Sequence, residues 1–155
     1  MVRLTDLPEY ERQHLLDKNQ PPLGPPAWVA SPSRLADKRI ALLTTAGLHF
    51  GNEEAFGFVD AGYRVIPGDA DPEALLMSHS SANFDRGGFQ QDVNVVFPLG
   101  RFRELEQRGA IGSLAAAHYS LMGAGLPPEA YEDSVRGLAG MLKQDRVDAV
   151  FLTPV

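Results

Sequence analysis

The chain has 155 residues, 44% of them apolar, with a formal net charge of −6 and a pI near 5.1. That is the size of one ordinary domain with enough apolar side chain for a core, which excludes a disordered chain. The acidic balance argues against general nucleic-acid binding, because it repels phosphate backbones, and no apolar run reaches the roughly 18 residues of a membrane span. Residues 1–20 are charged throughout and lack an apolar signal core, so the expected location is the cytoplasm. There is no cysteine, hence no thiol nucleophile and no Cys-based metal site among these residues.

Residues 1–37 read as an N-terminal arm. Leu7, Tyr10, Leu15 and Leu16, with Glu9, Glu11 and Arg12, predict a short helix after Pro8. Pro21-Pro22-Leu23-Gly24-Pro25-Pro26 forbids helix and central strand and reads as an extended spacer, with a proline-rich docking segment as the alternative. Residues 38–155 read as one α/β domain. Residues 39–45 form the first strand, which ends in the small-residue turn Ala46-Gly47-Leu48-His49. Residues 63–67 form a second, stopped by Pro67-Gly68-Asp69. Residues 71–77 fit either a helical turn capped by Asp71 or a strand edge.

Residues 78–92 are polar, glycine-bearing and aperiodic, which predicts a long loop, and residues 93–99 predict a short strand after it. A helix is expected from Arg101 to Arg108, closed by Gly109, and a strand over 117–121. Tyr131, Val135, Leu138, Met141 and Leu142 recur at helical spacing and mark a helix from 129 to 144. Residues 147–155 are an apolar, partly β-branched run of the kind buried in parallel sheets. Strand, helix and strand at these spacings predict an α/β fold with a mostly parallel sheet and flanking helices in three layers. In such sheets, ligands bind beyond the carboxyl ends of the strands.

The candidate chemistry sits in the loops. His49, His79 and His118 follow predicted strands or border the long loop. If those loops share one sheet edge, the imidazoles converge to transfer protons or bind substrate; the plainer reading is structurally bonded histidines. Their spacing matches no zinc motif, so no resident metal or cofactor is expected. Asp85, Asp92, Asn83, Asn94 and Arg86 fit a site for a small polar or zwitterionic ligand, with Arg86 taking a carboxylate, and equally fit turn formers and an ion pair. Thr44-Thr45-Ala46-Gly47 at a strand end supports anion binding through backbone amides only weakly, because no Walker loop follows.

Several stretches, taken together, resemble the selenoprotein B family of glycine, sarcosine and betaine reductases, to which a D-proline reductase subunit is related. They are residues 41–49 (ALLTTAGLH), 63–67 (YRVIP), Ser78-His79 with Asn83-Phe84-Asp85, 91–98 (QDVNVVFP), 111–115 (IGSLA), 118–123 (HYSLMG) and 147–155 (VDAVFLTPV). The resemblance implies reductive cleavage by a selenolate or thiolate that directly follows the stretch matching 147–155. That anion attacks the substrate carbon bearing the amino group, and a second thiol resolves the adduct. A helix N-terminus at that position would favour the anion. The family's amino-acid reductases work with pyruvoyl-bearing partner subunits.

On this resemblance Thr45, His49, His79, Asp85, Asn94, His118 and Tyr119 are expected to line the substrate pocket, with His49, His79 and His118 as the candidate acids and bases. The nucleophile is expected just after Val155. The chain is therefore expected to be the upstream product of a gene whose selenocysteine codon was read as a stop, or a deliberately shortened chain. It would then be C-terminally incomplete and inactive alone. Expected partners are a small-molecule substrate, a thiol-donor protein or partner subunit, and further copies of the chain. A non-catalytic binding or assembly subunit is the second reading, and a histidine-dependent metal hydrolase the third.

Overall fold

A computed structural model describes residues 3–18, 22, 24–25, 29–82 and 84–155. They fall into two units, Met1–Ala30 and Ser31–Val155. In the first, helix α1 (Glu9–Leu16) follows Pro8, as expected, and buries none of its residues. Its surface is held by local pairs such as Glu9 with Arg12. Of the proline-rich stretch, Pro21, Leu23 and Pro26 lie outside the described residues, as does Asn83 of the long loop.

The second unit is a mixed α/β layer structure built around one strand. Strand β1 (Arg39–Thr44) is followed by β2 (Leu48–Phe50), β3 (Tyr63–Pro67), β4 (Leu75–Met77), helix α2 (Gly87–Gln91) and helix α3 (Leu99–Gln107). Then come β5 (Ser113–Leu114), β6 (Ala117–Leu121), helix α4 (Glu132–Gln144) and β7 (Ala149–Thr153). β1 pairs in parallel with β5, β6 and β7, and β3 joins β6 antiparallel. β2 and β4 form a separate antiparallel pair. The sheet is thus mostly parallel, as the pattern of strands and helices requires.

Alternation along β1 assigns the two faces. Ile40 and Leu42 point to one side, where α3 lies: Phe97, just before it, meets the His118 ring, and Phe102 meets Phe151 with ring centroids 4.9 Å apart. The main core sits here, with Ile66, Val96, Phe97, Leu99 and Ile111 buried. The opposite face carries Tyr63 and Tyr119, packed edge to face, and α4, whose Met141 sulfur accepts from the Tyr63 hydroxyl. Leu138 is the residue α4 buries. Helices on both faces make three layers.

Two expectations are corrected. Residues 93–99 are not a strand. The Asp92 carboxylate accepts from the Asn94 amide and caps a 3-10 turn, Val93–Val95, after which Leu99 opens α3. Residues 147–155 do form a strand, but not a buried one: β7 lies at the sheet edge, with Phe151 44% and Leu152 62% exposed. Residues 71–77 satisfy both readings, as a turn capped by Asp71 running into β4. The long loop contains α2. Gly109, at φ 68°, closes α3.

β5 and β6 act as one strand with an interruption. From Ile40↔Leu114 to Leu43↔Tyr119, β1 advances by three residues and its neighbour by five. Within that bulge the Leu42 amide finds no carbonyl opposite and instead donates to His118 Nδ1 at 3.1 Å. His118 is fully buried. Burial, with the Arg103 charge next and Asp145 opposing, lowers its pKa from 6.5 to about 4. An unfolded chain takes the proton first, so the stability that neutral His118 contributes is fully present above about pH 6.5 and lost as pH falls towards about 4. The full loss is on the order of 3 kcal/mol. Urea unfolding between about pH 7 and pH 5, above most carboxylate titration, is expected to show this slope. His118→Gln keeps an acceptor for Leu42 but gains no proton, so it should flatten the slope; equal slopes in both proteins would contradict the assignment.

Candidate functional site at the carboxyl edge

The carboxyl ends of β1, β6 and β7 meet at Thr45. Its amide donates to the Thr153 carbonyl (3.2 Å) and its carbonyl accepts from the Gly123 amide (2.9 Å). Its Oγ1 accepts from the Val155 amide (2.9 Å) and donates to the Val155 carbonyl (3.3 Å). One threonine thus ties together the exits of three strands. The approach requires glycine at 123, because a Cβ there would sit 2.7 Å from Thr45 Cβ. The turn after Thr45 is equally tight. Gly47 takes a positive φ of 66°, its carbonyl accepts from the Ser78 amide, and a side chain on it would press on Met122 and the His79 backbone.

Ser78 and His79 therefore stand beside the β1 exit. His49, on β2, is buried with both ring nitrogens engaged: Nδ1 with the Phe50 carbonyl and Nε2 with Ser78 Oγ, each at 2.8 Å. A carbonyl only accepts, so His49 carries its proton on Nδ1 and takes one from Ser78 on Nε2. His79 differs. Its Nδ1 accepts from the Ser81 amide at 3.3 Å, which leaves the ring proton on Nε2, and that buried Nε2 has no hydrogen-bond partner among the described residues. Burial first, and the Arg86 charge second, lower its pKa. Neutral His79 is thus a buried donor held in place by its own loop, with Phe84 against its ring at 4.9 Å. Arg86 closes that loop by donating to the His79 and Ser81 carbonyls.

The other expected site residues lie elsewhere. Asp85 is exposed, and its carboxylate accepts from the Gly87 amide in a turn just ahead of α2. Asn94 bonds Asp92 and accepts from the Arg101 amide at the start of α3. Arg86 spends its guanidinium on carbonyls rather than on a carboxylate ligand. His118 and Tyr119, adjacent on β6, point to opposite faces of the sheet, and burial raises the Tyr119 hydroxyl pKa. Among the described residues no group of three or more His, Asp or Glu side chains could hold a metal ion. The structure therefore brings together Thr45, His79 and, through Ser78, His49. Gly123 and Ser78 were not singled out for the site from the sequence; the only signal for them was their place in the motifs 118–123 and Ser78-His79.

The matching protein family is glycine/sarcosine/betaine reductase selenoprotein B, over residues 33–155. The chain is 36% identical to the D-proline reductase subunit gamma of Acetoanaerobium sticklandii, over 83% of this chain and 53% of that protein. It is 32% identical to the glycine reductase complex component B subunit gamma of Symbiobacterium thermophilum, over 77% of this chain and 29% of that one. With the betaine reductase complex component B subunit beta of Peptoclostridium acidaminophilum it shares 28% identity, over 81% of this chain and 30% of that one. The chain thus spans about half or less of the length of these relatives. No solved structure matches it.

Replacing Gly123 tests the geometry. Gly123→Ala forces Thr45 away from its place and should cost about 1–3 kcal/mol, the range of overpacking. Val155 amide exchange should accelerate with it. Gly140→Ala on α4 meets nothing within 4 Å and should be neutral or stabilising, since alanine favours helix. Equal melting shifts in the two variants would rule out the contact as drawn.

Proposed function

Because the chain belongs to the glycine/sarcosine/betaine reductase selenoprotein B family, we propose that it serves as a subunit of a thiol- or selenol-dependent amino-acid reductase and supplies part of the substrate pocket at the carboxyl edge of its sheet. The observation that carries this reading is the convergence at Thr45. The exits of β1, β6 and β7 are bound there into one rigid ledge, with the buried His79 donor in the adjoining loop. Carboxyl edges of parallel sheets are where such folds bind ligands.

The reaction is a reductive cleavage of a glycine, betaine, sarcosine or proline type of substrate. A selenolate or thiolate attacks the carbon bearing the amino group. The new carbon–selenium or carbon–sulfur bond forms as the carbon–nitrogen bond breaks, and the nitrogen leaves with its electron pair and takes up a proton. A second thiol then attacks the selenium or sulfur, the carbon fragment is released with a proton, and the thiol pair is left oxidised. These 155 residues contain no cysteine, so the nucleophile comes from outside them. In this scheme Thr45 holds the backbone at Val155 and His79 offers an N–H to the substrate. His49, Asp85, Asn94, His118 and Tyr119 support the pocket through turns and core packing. The proposed setting is the cytoplasm, where thiols stay reduced, and the partners are a thiol-donor protein and further reductase subunits.

The absence of a thiol also favours a second reading, in which the chain binds a small molecule or assembles a complex without doing chemistry. Two measurements separate the readings. With dithiothreitol as reductant, the purified chain is expected to release no amine from glycine, betaine or sarcosine and to open no ring of D-proline; turnover would refute an external nucleophile. Titrating the same compounds is expected to shift the NMR signals of Thr45, Gly47, His79 and Gly123. If none of the four compounds moves them, the substrate-pocket assignment fails.

A further inference from the structure

Ser78 carries a hydroxyl whose direction is fixed by the fold. β2 and β4 pair with Leu48 opposite Met77 and His49 opposite Leu76, and the Ser78 amide extends that pairing by donating to the Gly47 carbonyl at 2.9 Å. This sets Ser78 Oγ 2.8 Å from His49 Nε2. The other ring nitrogen, Nδ1, lies 2.8 Å from the Phe50 carbonyl, which only accepts. The neutral ring therefore keeps its proton on Nδ1, and its bare Nε2 takes the Ser78 hydroxyl proton. A hydroxyl has one proton and two lone pairs. With the proton committed to His49, Ser78 meets any further partner as an acceptor alone. It is half-buried rather than sealed, and it stands against the tight Gly47 turn, where a side chain would press within 3.3 Å of the Ser78 backbone.

Resting on the substrate pocket at the carboxyl edge, we propose that Ser78 selects substrates by their N–H groups, favouring amino acids with a primary or secondary ammonium over those with a quaternary one. An ammonium N–H gives an accepting oxygen a charge-assisted hydrogen bond. A quaternary nitrogen offers only C–H groups, whose contacts with oxygen are far weaker. It also displaces water from Ser78 Oγ without replacing the lost bond. Glycine, sarcosine and D-proline carry the N–H, and betaine does not, although all four share a carboxylate. His79, the next residue, has the opposite role: its unpartnered Nε2 is a buried donor, suited to that common carboxylate. The selection thus falls on the nitrogen end, where Ser78 acts, and sites built to bond a group reject analogues that lack it.

Two measurements on the 155-residue chain at about pH 8, above the ordinary histidine range, test this. Long-range 15N–1H NMR is expected to show His49 protonated at Nδ1 and bare at Nε2; a proton on Nε2 would free the hydroxyl to donate and overturn the proposal, whatever binds. In titrations followed on the Thr45, Gly47, His79 and Gly123 signals, glycine, sarcosine and D-proline are expected to bind about tenfold or more tightly than betaine. Ser78→Ala should remove the preference by weakening the three to the level of betaine, with betaine itself little changed. Betaine binding as tightly as glycine, or a preference that survives Ser78→Ala, would overturn the selection by Ser78 and leave the pocket standing. Binding of none of the four compounds would overturn the pocket, and the selection with it.

Discussion

The hydrogen bond from the Leu42 amide to His118 Nδ1 is the constraint on which the sheet depends. β1 is its central strand, and an unpaired amide in the middle of a buried strand costs about 1–3 kcal/mol. The neighbouring strand leaves β1 after Leu114 and rejoins it at Tyr119 with two residues more than register allows. Without an acceptor in the gap, the detour would strand a donor in the core. The imidazole fills the gap from the side and leaves β1 paired along both edges.

The two edges of the sheet are held by different means. At the amino edge Arg39 donates to the Asp145 carboxylate, the Asp145 carbonyl and the Leu114 carbonyl, and Asp145 accepts from the Ala116 amide. Burial works to raise the Asp145 pKa, but the bonds from Arg39 and Ala116, with the Arg39 and Arg146 charges, outweigh it and hold the carboxyl below its ordinary range. Charge thus fastens β1, the β5–β6 bulge and the α4–β7 turn together. At the carboxyl edge the fastening is neutral and local, through Thr45 and the glycines that let backbone approach it.

The expected site residues divide along the same lines. Thr45 and His79 stand at the ledge, whereas Asp85 and Asn94 do the ordinary work of their residue types, capping turns and helix starts. His49 and His118 are buried and hydrogen-bonded to their own fold. His79 and His118 each retain a buried Nε2 with no partner among the described residues, but only His79 stands in a loop beside the Thr45 ledge; His118 lies inside the sheet.

The sequence by itself determined the layer class, β1, β3, β6, the cores of α3 and α4, the Gly109 stop and the family. Periodicity, end signals and local motifs carry that information within a few residues of where it is used. Only the tertiary structure decided three things. Residues 93–99 are as apolar as a strand, yet capping by Asp92 and Asn94 turns them into a helix entrance. Residues 147–155 read as interior, because composition reports the strand's neighbours in kind and not in number; the structure puts β7 at an edge. The roles of the histidines depend on which amide or carbonyl comes opposite each ring nitrogen, and that is set by contacts between residues up to 76 positions apart. No local pattern encodes such a distance; it appears only when the bulge, the turn and the loop are packed against one another.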